Sequence, residues 1–384
     1  MNRSLRFQAI AFAAIRTVVN TMHRMVYPFL PIFSRGLGVE LSTLSLALTG
    51  RSVIGMFAPF MAAFADRRGH KFAMFLGLAL FTSGTALVVF WPVFPAFMGA
   101  LVLTTLGKYI FDPPMQAYLG DRVPYEKRGR ILAVTELGWS LAFVGGIPLM
   151  GFLISRGGWM SPFWLLTILG AASILLLNGM IPRDQQSVDP QSTLLANFQK
   201  VRRSRVALAG LAVGLFCSAA NEVINLLFGV WMEDSFGLQI AALGATAAVI
   251  GLAELSGESF VGVWVDRLGK PRAVGIGLVG NSLAALAFPF LGQTLPGALL
   301  GLFLFYLTFE FTLVSSLPLM TEILPEARST VMAINFSGLS LGRALGALVA
   351  TPLFSLGMGT SAGAAVVFNL LALLALRQVQ HGST

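Results

Sequence analysis

The sequence predicts an all-α integral membrane protein of twelve spanning helices in two six-helix bundles, with both termini cytoplasmic. Three observations predict it. First, only 11% of the 384 residues are charged and 56% are hydrophobic, where a soluble domain has roughly 25% charged residues. The mean hydropathy is +0.78. Second, the apolar residues fall into twelve runs, each near the roughly 20 residues that a helix needs to cross the hydrocarbon core. Third, the charged hairpin Asp66-Arg67-Arg68-Gly69-His70-Lys71 returns two hundred residues later as Asp266-Arg267-Leu268-Gly269-Lys270. The chain reads as built twice.

In the first half the runs cover 7–33, 41–65, 72–91, 95–120, 131–155 and 161–181. In the second they cover 206–232, 240–265, 273–291, 295–320, 330–355 and 360–376. The predicted division is a first bundle over 1–181, a polar linker over 182–205 and a second bundle over 206–384. Within the linker, Leu194 to Arg203 has the pattern of a short amphipathic helix lying on the membrane surface. The segment after Met1-Asn2-Arg3 is longer than a signal-peptide core and has no small-residue cleavage site, so it reads as a retained span.

Orientation follows from lysine and arginine. With the N-terminus inside, nineteen of these residues fall in inner segments, and only Arg35 and Arg156 fall in outer loops. The net charge of +9 therefore marks topology rather than a nucleic-acid surface. Trp91, Trp159, Trp164, Trp231 and Trp264 fall near span ends, as an aromatic belt does, while Trp139 lies inside the fifth span. The single cysteine, Cys217, excludes an internal disulfide, and the three histidines share no close spacing. No nucleotide-binding loop, metal cluster or nucleophile–base spacing suggests an enzyme, and no cofactor is expected.

The repeat extends beyond the hairpin. At an offset of 200, Gly77, Arg128, Ala133, Gly138, Ser140 and Gly146 meet Gly277, Arg328, Ala333, Gly338, Ser340 and Gly346. Two parallel six-span copies belong to one class of secondary transporter. Here the sequence resembles the major facilitator superfamily. Its signature between spans two and three is matched by Asp66, Arg67, Gly69 and Lys71, with Ala62 and His70 departing from it. The second copy keeps more of it, in Gly262, Asp266, Arg267, Gly269 and Lys270. The resemblance covers all twelve spans. A second signature of the family, an arginine early in span four, is absent near Leu101 and Val102, and the antiporter signature of span five is partly echoed by residues 145–151. By resemblance the two hairpins are cytoplasmic latches, with Asp121 as a partner for the basic residues. The better-kept second hairpin is expected to hold the tighter latch.

Charged side chains inside spans are expensive, at roughly +2.5 to +3.5 kcal/mol for Asp, Lys or Arg at the centre. Spans three, six, nine and twelve carry none. In the superfamily fold, as the resemblance implies, those four are the outer scaffold and the other eight line the cavity or the bundle interface. The candidate site residues on these eight are Arg16, Arg51, Lys108, Asp112, Asn221, Glu222, Asn225, Glu254, Glu258, Glu310 and Arg343. Glu254 and Glu258 share a helix face, which either raises one pKa and suits a proton carrier or leaves Glu258 to pair with Arg267 or Lys270 near the cytoplasmic end. Lys108 and Asp112 form either an internal ion pair beside Pro113-Pro114 or a switchable one. Arg16 and Arg24 suit an anionic group, with snorkelling of Arg24 to the outer interface as an alternative. Glu136 is expected either in the cavity or paired with a loop arginine.

The expected function is secondary transport by alternating access in a bacterial-type inner membrane, as proton-coupled export of a small amphipathic molecule. Proton-coupled uptake of an organic anion and lipid or glycolipid flipping are the alternatives. The expected partners are a small-molecule substrate, protons and the bilayer, with the chain a monomer.

Overall fold

The structure is a computed structural model that describes residues 3–57, 69–123, 125–182, 194–324 and 328–382. In lipid the backbone must satisfy its own hydrogen bonds, and the helix does so within one segment. The described residues accordingly form sixteen α-helices and one π-helical segment. They are α1 (Arg3–Met25), α2 (Leu30–Leu37), α3 (Leu41–Met56), α4 (His70–Phe90), α5 (Phe94–Arg122), α6 (Tyr125–Leu141), the π segment (Ala142–Gly146), α7 (Ile147–Gly157) and α8 (Ser161–Met180). There follow α9 (Leu194–Arg203), α10 (Arg205–Asn225), α11 (Phe228–Phe236), α12 (Ile240–Leu268), α13 (Lys270–Leu291), α14 (Leu295–Ile323), α15 (Arg328–Phe354) and α16 (Met358–Gly382).

Ten described stretches are helical, long and apolar enough to cross a membrane. The remaining two of the twelve runs differ in detail. The first is divided between α1 and α2, because Pro28 has no N–H and disfavours helical geometry in the residue before it. The second is helical as α3 to Met56, and most of its remainder lies outside the described residues. The first run has a counterpart in the second half, where α10 gives way to α11 at Leu226-Leu227. Left-handed glycines then close both short helices, Gly38 (φ 65°) after α2 and Gly237 (φ 60°) after α11.

The repeated glycines are where helices touch. A methyl group on Gly77 would meet the Gly107 carbonyl at 2.7 Å, and one on Gly277 would overlap the Thr312 hydroxyl. On Gly138 it would meet the Ala13 carbonyl at 2.7 Å, and on Gly346 the Ala219 carbonyl at 2.6 Å. Small residues let membrane helices approach closely enough to pack in the absence of a hydrophobic drive.

The chain divides into two compact units. The first comprises Met1–Glu40, Phe57–Val188 and Leu238–Gly251. The second comprises Leu41–Met56, Asp189–Gly237 and Leu252–Thr384. These units differ from the halves of the repeat by two segments. The start of α12 belongs with the first unit, where Gly244 lies against Ile147, Pro148 and Gly151. Helix α3 belongs with the second, where it packs on α15 and the Ser45 and Thr351 hydroxyls are 2.6 Å apart. In the first unit an aromatic cluster of Phe33, Phe97, Trp159 and Phe163 fills the space beside α2. In the second, Trp231, Phe288, Phe305 and Tyr306 do the same beside α11. A buried amide chain also ties three helices of this unit: Asn369 donates to Asn281 (2.8 Å), which donates to the Phe305 carbonyl (2.7 Å).

Candidate functional site

Four charged side chains of the first unit, Arg16, Lys108, Asp112 and Glu136, form one network that runs from buried Arg16 and Lys108 to half-exposed Glu136. Helix α1 places Arg16 against α6 because Gly138 has no side chain to hold the helices apart, and a Cβ there would lie 2.8 Å from that of Arg16. Arg16 Nη1 then reaches Glu136 Oε1 at 2.7 Å and the Thr135 carbonyl at 2.9 Å. Its Nε lies 3.2 Å from Asp112 Oδ1, a charge contact without hydrogen-bond alignment. The other oxygen of Asp112 accepts from Lys108 Nζ at 2.7 Å. Lys108 also donates to Asn20 Oδ1 at 2.6 Å, and Asn20 donates to the Gly138 carbonyl at 3.2 Å. Gln116 completes the network with a 3.0 Å bond to Glu136.

Two positions for which the sequence left alternatives are placed here. Glu136 pairs with Arg16 of a neighbouring span, which the α1–α6 contact brings within reach, while the side chains of the loop residues Arg128 and Arg130 lie outside the described residues. Arg24 is buried rather than snorkelling, with its guanidinium carbon 4.2 Å above the Trp139 ring centroid and 3.4 Å from that of Phe143. Cation–π attraction and a hydrogen bond to the Trp139 carbonyl hold it there. This also explains the one tryptophan inside a span, which lies 5.3 Å from Lys108 Nζ as well. The π segment follows at once. Pro148 cannot donate to Val144, so the helix takes a wider turn as it passes Thr21 of α1.

In the second unit Glu222 is buried on α10 with its Cβ against Gly346 of α15. Asn225 donates to Glu222 Oε2 at 3.2 Å, and the Tyr306 hydroxyl of α14 donates to Asn225 Oδ1 at 2.6 Å. Asn221 is buried nearby in sequence, and its Nδ2 has no hydrogen-bond partner among the described residues. Glu254 and Glu310 are buried and Glu258 is half-buried. Gly257, between the two α12 glutamates, rests on α14 beside the Cβ of Glu310, so three carboxylate-bearing positions flank one helix contact. Arg51 is buried on α3, and Arg343 is half-buried on α15.

Of the hairpin residues, Asp66 and Arg67 lie outside the described residues, as do the side chains of Asp121 and Asp266. Gly69 (φ 94°) and Gly269 (φ 80°) both start helices from conformations that favour glycine. Lys71 donates to the Asn178 and Ile181 carbonyls at 3.1 and 2.6 Å, at the end of α8. Lys270 instead pairs with Glu322 at the end of α14. Arg267 is exposed, and among the described residues nothing lies within 4 Å of a Cβ placed on Gly262. Asn20, Gln116 and Tyr306 are site residues that the sequence reading missed. Asn20 sits one turn after Arg16, and Tyr306 one turn before Glu310, which was the available signal.

A family model described as Major Facilitator Superfamily matches residues 12–347 and, separately, residues 211–382. The chain belongs to the Major Facilitator Superfamily. This superfamily member is 25% identical over 334 residues to the Inner membrane transport protein YdhP of Escherichia coli K12, covering 86% of this chain and 85% of that one. It is 26% identical over 341 residues to a Chloramphenicol resistance protein of Streptomyces lividans, covering 86% and 85%. Its fold matches the crystal structure of a bacterial homologue of the human lysosomal transporter Spinster with a TM-score of 0.75 at 15% identity, over 100% of this chain and 96% of that one. The protein is a multi-pass membrane transporter of the superfamily.

Proposed function

We propose that the protein exports a small amphipathic molecule in exchange for protons, by alternating access in the bacterial inner membrane, with both termini cytoplasmic. The carrying observation is Asp112, which has a cation on each oxygen: Lys108 from its own helix and Arg16 from α1. A proton on Asp112 removes the charge that both cations share. The tie between α1 and α5 then loosens beside Pro113 and Pro114, where α5 lacks regular backbone donors and can bend. Cargo with a cationic group instead takes the Asp112 carboxylate in place of the proton, so that binding of one releases the other. Proton and cargo then act on one equilibrium through differential affinity for its two states. Glu222, linked through Asn225 to Tyr306, supplies a second buried carboxylate.

An amphipathic cargo is supported by ring faces beside charge, in Arg24 over Trp139 and Phe143. Export is supported by the likeness to a Multi-drug resistance efflux pump PmrA homolog of Lactococcus lactis. Uptake of an organic anion is the second reading, resting on Arg16, Arg51, Lys108 and Arg343. It stands second because Arg16 and Lys108 already hold carboxylates, which an incoming anion would have to displace.

Reconstituted vesicles test both. With an acidic lumen and ethidium outside, proteoliposomes are expected to accumulate the dye above protein-free vesicles and above proteoliposomes without a gradient. Accumulation of benzoate from an acidic exterior, with no ethidium flux, would favour the second reading. Flux that ignores the gradient would contradict proton coupling.

A further inference from the structure

Outside the charged networks, the second unit carries a groove of about 410 Å³ between α10 and α16. Its volume lies within the roughly 300–1,000 Å³ of small-molecule sites. Alanines make the groove: Ala209 and Ala212 on α10 and Ala375 on α16 leave a trough between the larger Phe216 and Leu374. The polar lining residues, Arg205 and Gln378, are both at one end, where α10 begins and α16 ends. Both are exposed, and so are Lys200, Arg202 and Arg203 on the adjoining α9.

The dimensions name the occupant. From Arg205 to Phe216 the helix rises by roughly 16 Å, about half of the ~30 Å hydrocarbon core. The apolar trough is thus one leaflet deep, and its charged end falls at headgroup level. A cation at that level attracts anionic lipid.

We propose that this groove holds one acyl chain of an anionic phospholipid, with the phosphate headgroup on Arg205 and Gln378. The lipid comes from the leaflet on the linker side of α10. Its chain covers the alanine trough, and its headgroup brings negative charge to the basic end of α9.

Native mass spectrometry of the full-length, detergent-purified protein tests this, using an equimolar mixture of dioleoyl phosphatidylglycerol and dioleoyl phosphatidylcholine. The wild-type protein is expected to retain phosphatidylglycerol preferentially. Arg205→Gln should lower that preference about fivefold. Ala212→Trp, which fills the trough, should lower retention of both lipids, and Arg156→Gln on α7 should keep the wild-type preference. An unchanged preference in Arg205→Gln overturns the proposal, as does an equal loss in Arg156→Gln. Unchanged retention in Ala212→Trp overturns it too, and a shift of that variant between monomer and dimer masses would assign the groove to a second copy.

Discussion

Lys108 and Asp112, one turn apart on α5, hold each other at 2.7 Å directly before Pro113-Pro114. Removing one partner of a buried pair leaves the other uncompensated, at about 3–5 kcal/mol. Asp112→Asn is expected near the lower end of that range, because Glu136 still holds Arg16. Lys108→Gln combined with Asp112→Asn should recover most of the loss. Unfolding in mixed detergent micelles measures both, and a double variant no more stable than Asp112→Asn would contradict a direct pair.

The close approach of α10 and α15 gives a packing prediction. A methyl group on Gly342 would overlap the Leu215 carbonyl, which is backbone and cannot rotate away. Gly342→Ala should destabilise by about 1–3 kcal/mol. Among the described residues nothing lies within 4 Å of a Cβ on Gly262, inside α12, so Gly262→Ala should be neutral or stabilise by up to about 1 kcal/mol. If Gly262→Ala nevertheless slows transport, the glycine acts in the latch rather than in packing.

The two hairpin lysines should respond differently to salt. Glu322, the partner of Lys270, is 58% exposed, so the pair is worth at most about 1 kcal/mol and is screened by salt. Lys71 lies on helix-end carbonyls, an interaction worth about 0.3–1 kcal/mol. Lys270→Gln should abolish the salt dependence of turnover while Lys71→Gln retains it. If the second latch is the tighter one, the larger change in turnover is expected from Lys270→Gln.

Tyr306→Phe removes the donor to Asn225 Oδ1 inside the second unit. Leaving that buried acceptor unsatisfied should destabilise by about 1–3 kcal/mol. Pairing it with Asn225→Leu should bring the total below the sum of the two single changes, and additive losses would show that the two groups do not interact.

The spans were legible because lipid leaves a helix few alternatives, so hydrophobic length alone finds it. The packing points were legible through the repeat: Gly77 and Gly146, with their counterparts Gly277 and Gly346, and Gly138 are sites where two helices nearly touch. The charged positions were visible because their burial is unfavourable. Their partners were not. Arg16 and Glu136 are 120 residues apart, and no periodicity along one helix says which face of another it will meet. The repeat gives no help there, since Phe216 and Phe336 stand at the positions equivalent to Arg16 and Glu136. Packing glycines and the loop charges were kept through the duplication, while the charges inside the spans diverged. The break at Leu226-Leu227 carried no local signal, whereas its counterpart was marked by Pro28.

The most direct measurement is proton release on cargo binding. Ethidium is added to the full-length protein in weakly buffered detergent solution, and pH is followed with an indicator dye. Wild-type protein should release protons as the dye binds, and Asp112→Asn should bind without releasing them. Equal release from Asp112→Asn would contradict the assignment of the exchanged proton to Asp112.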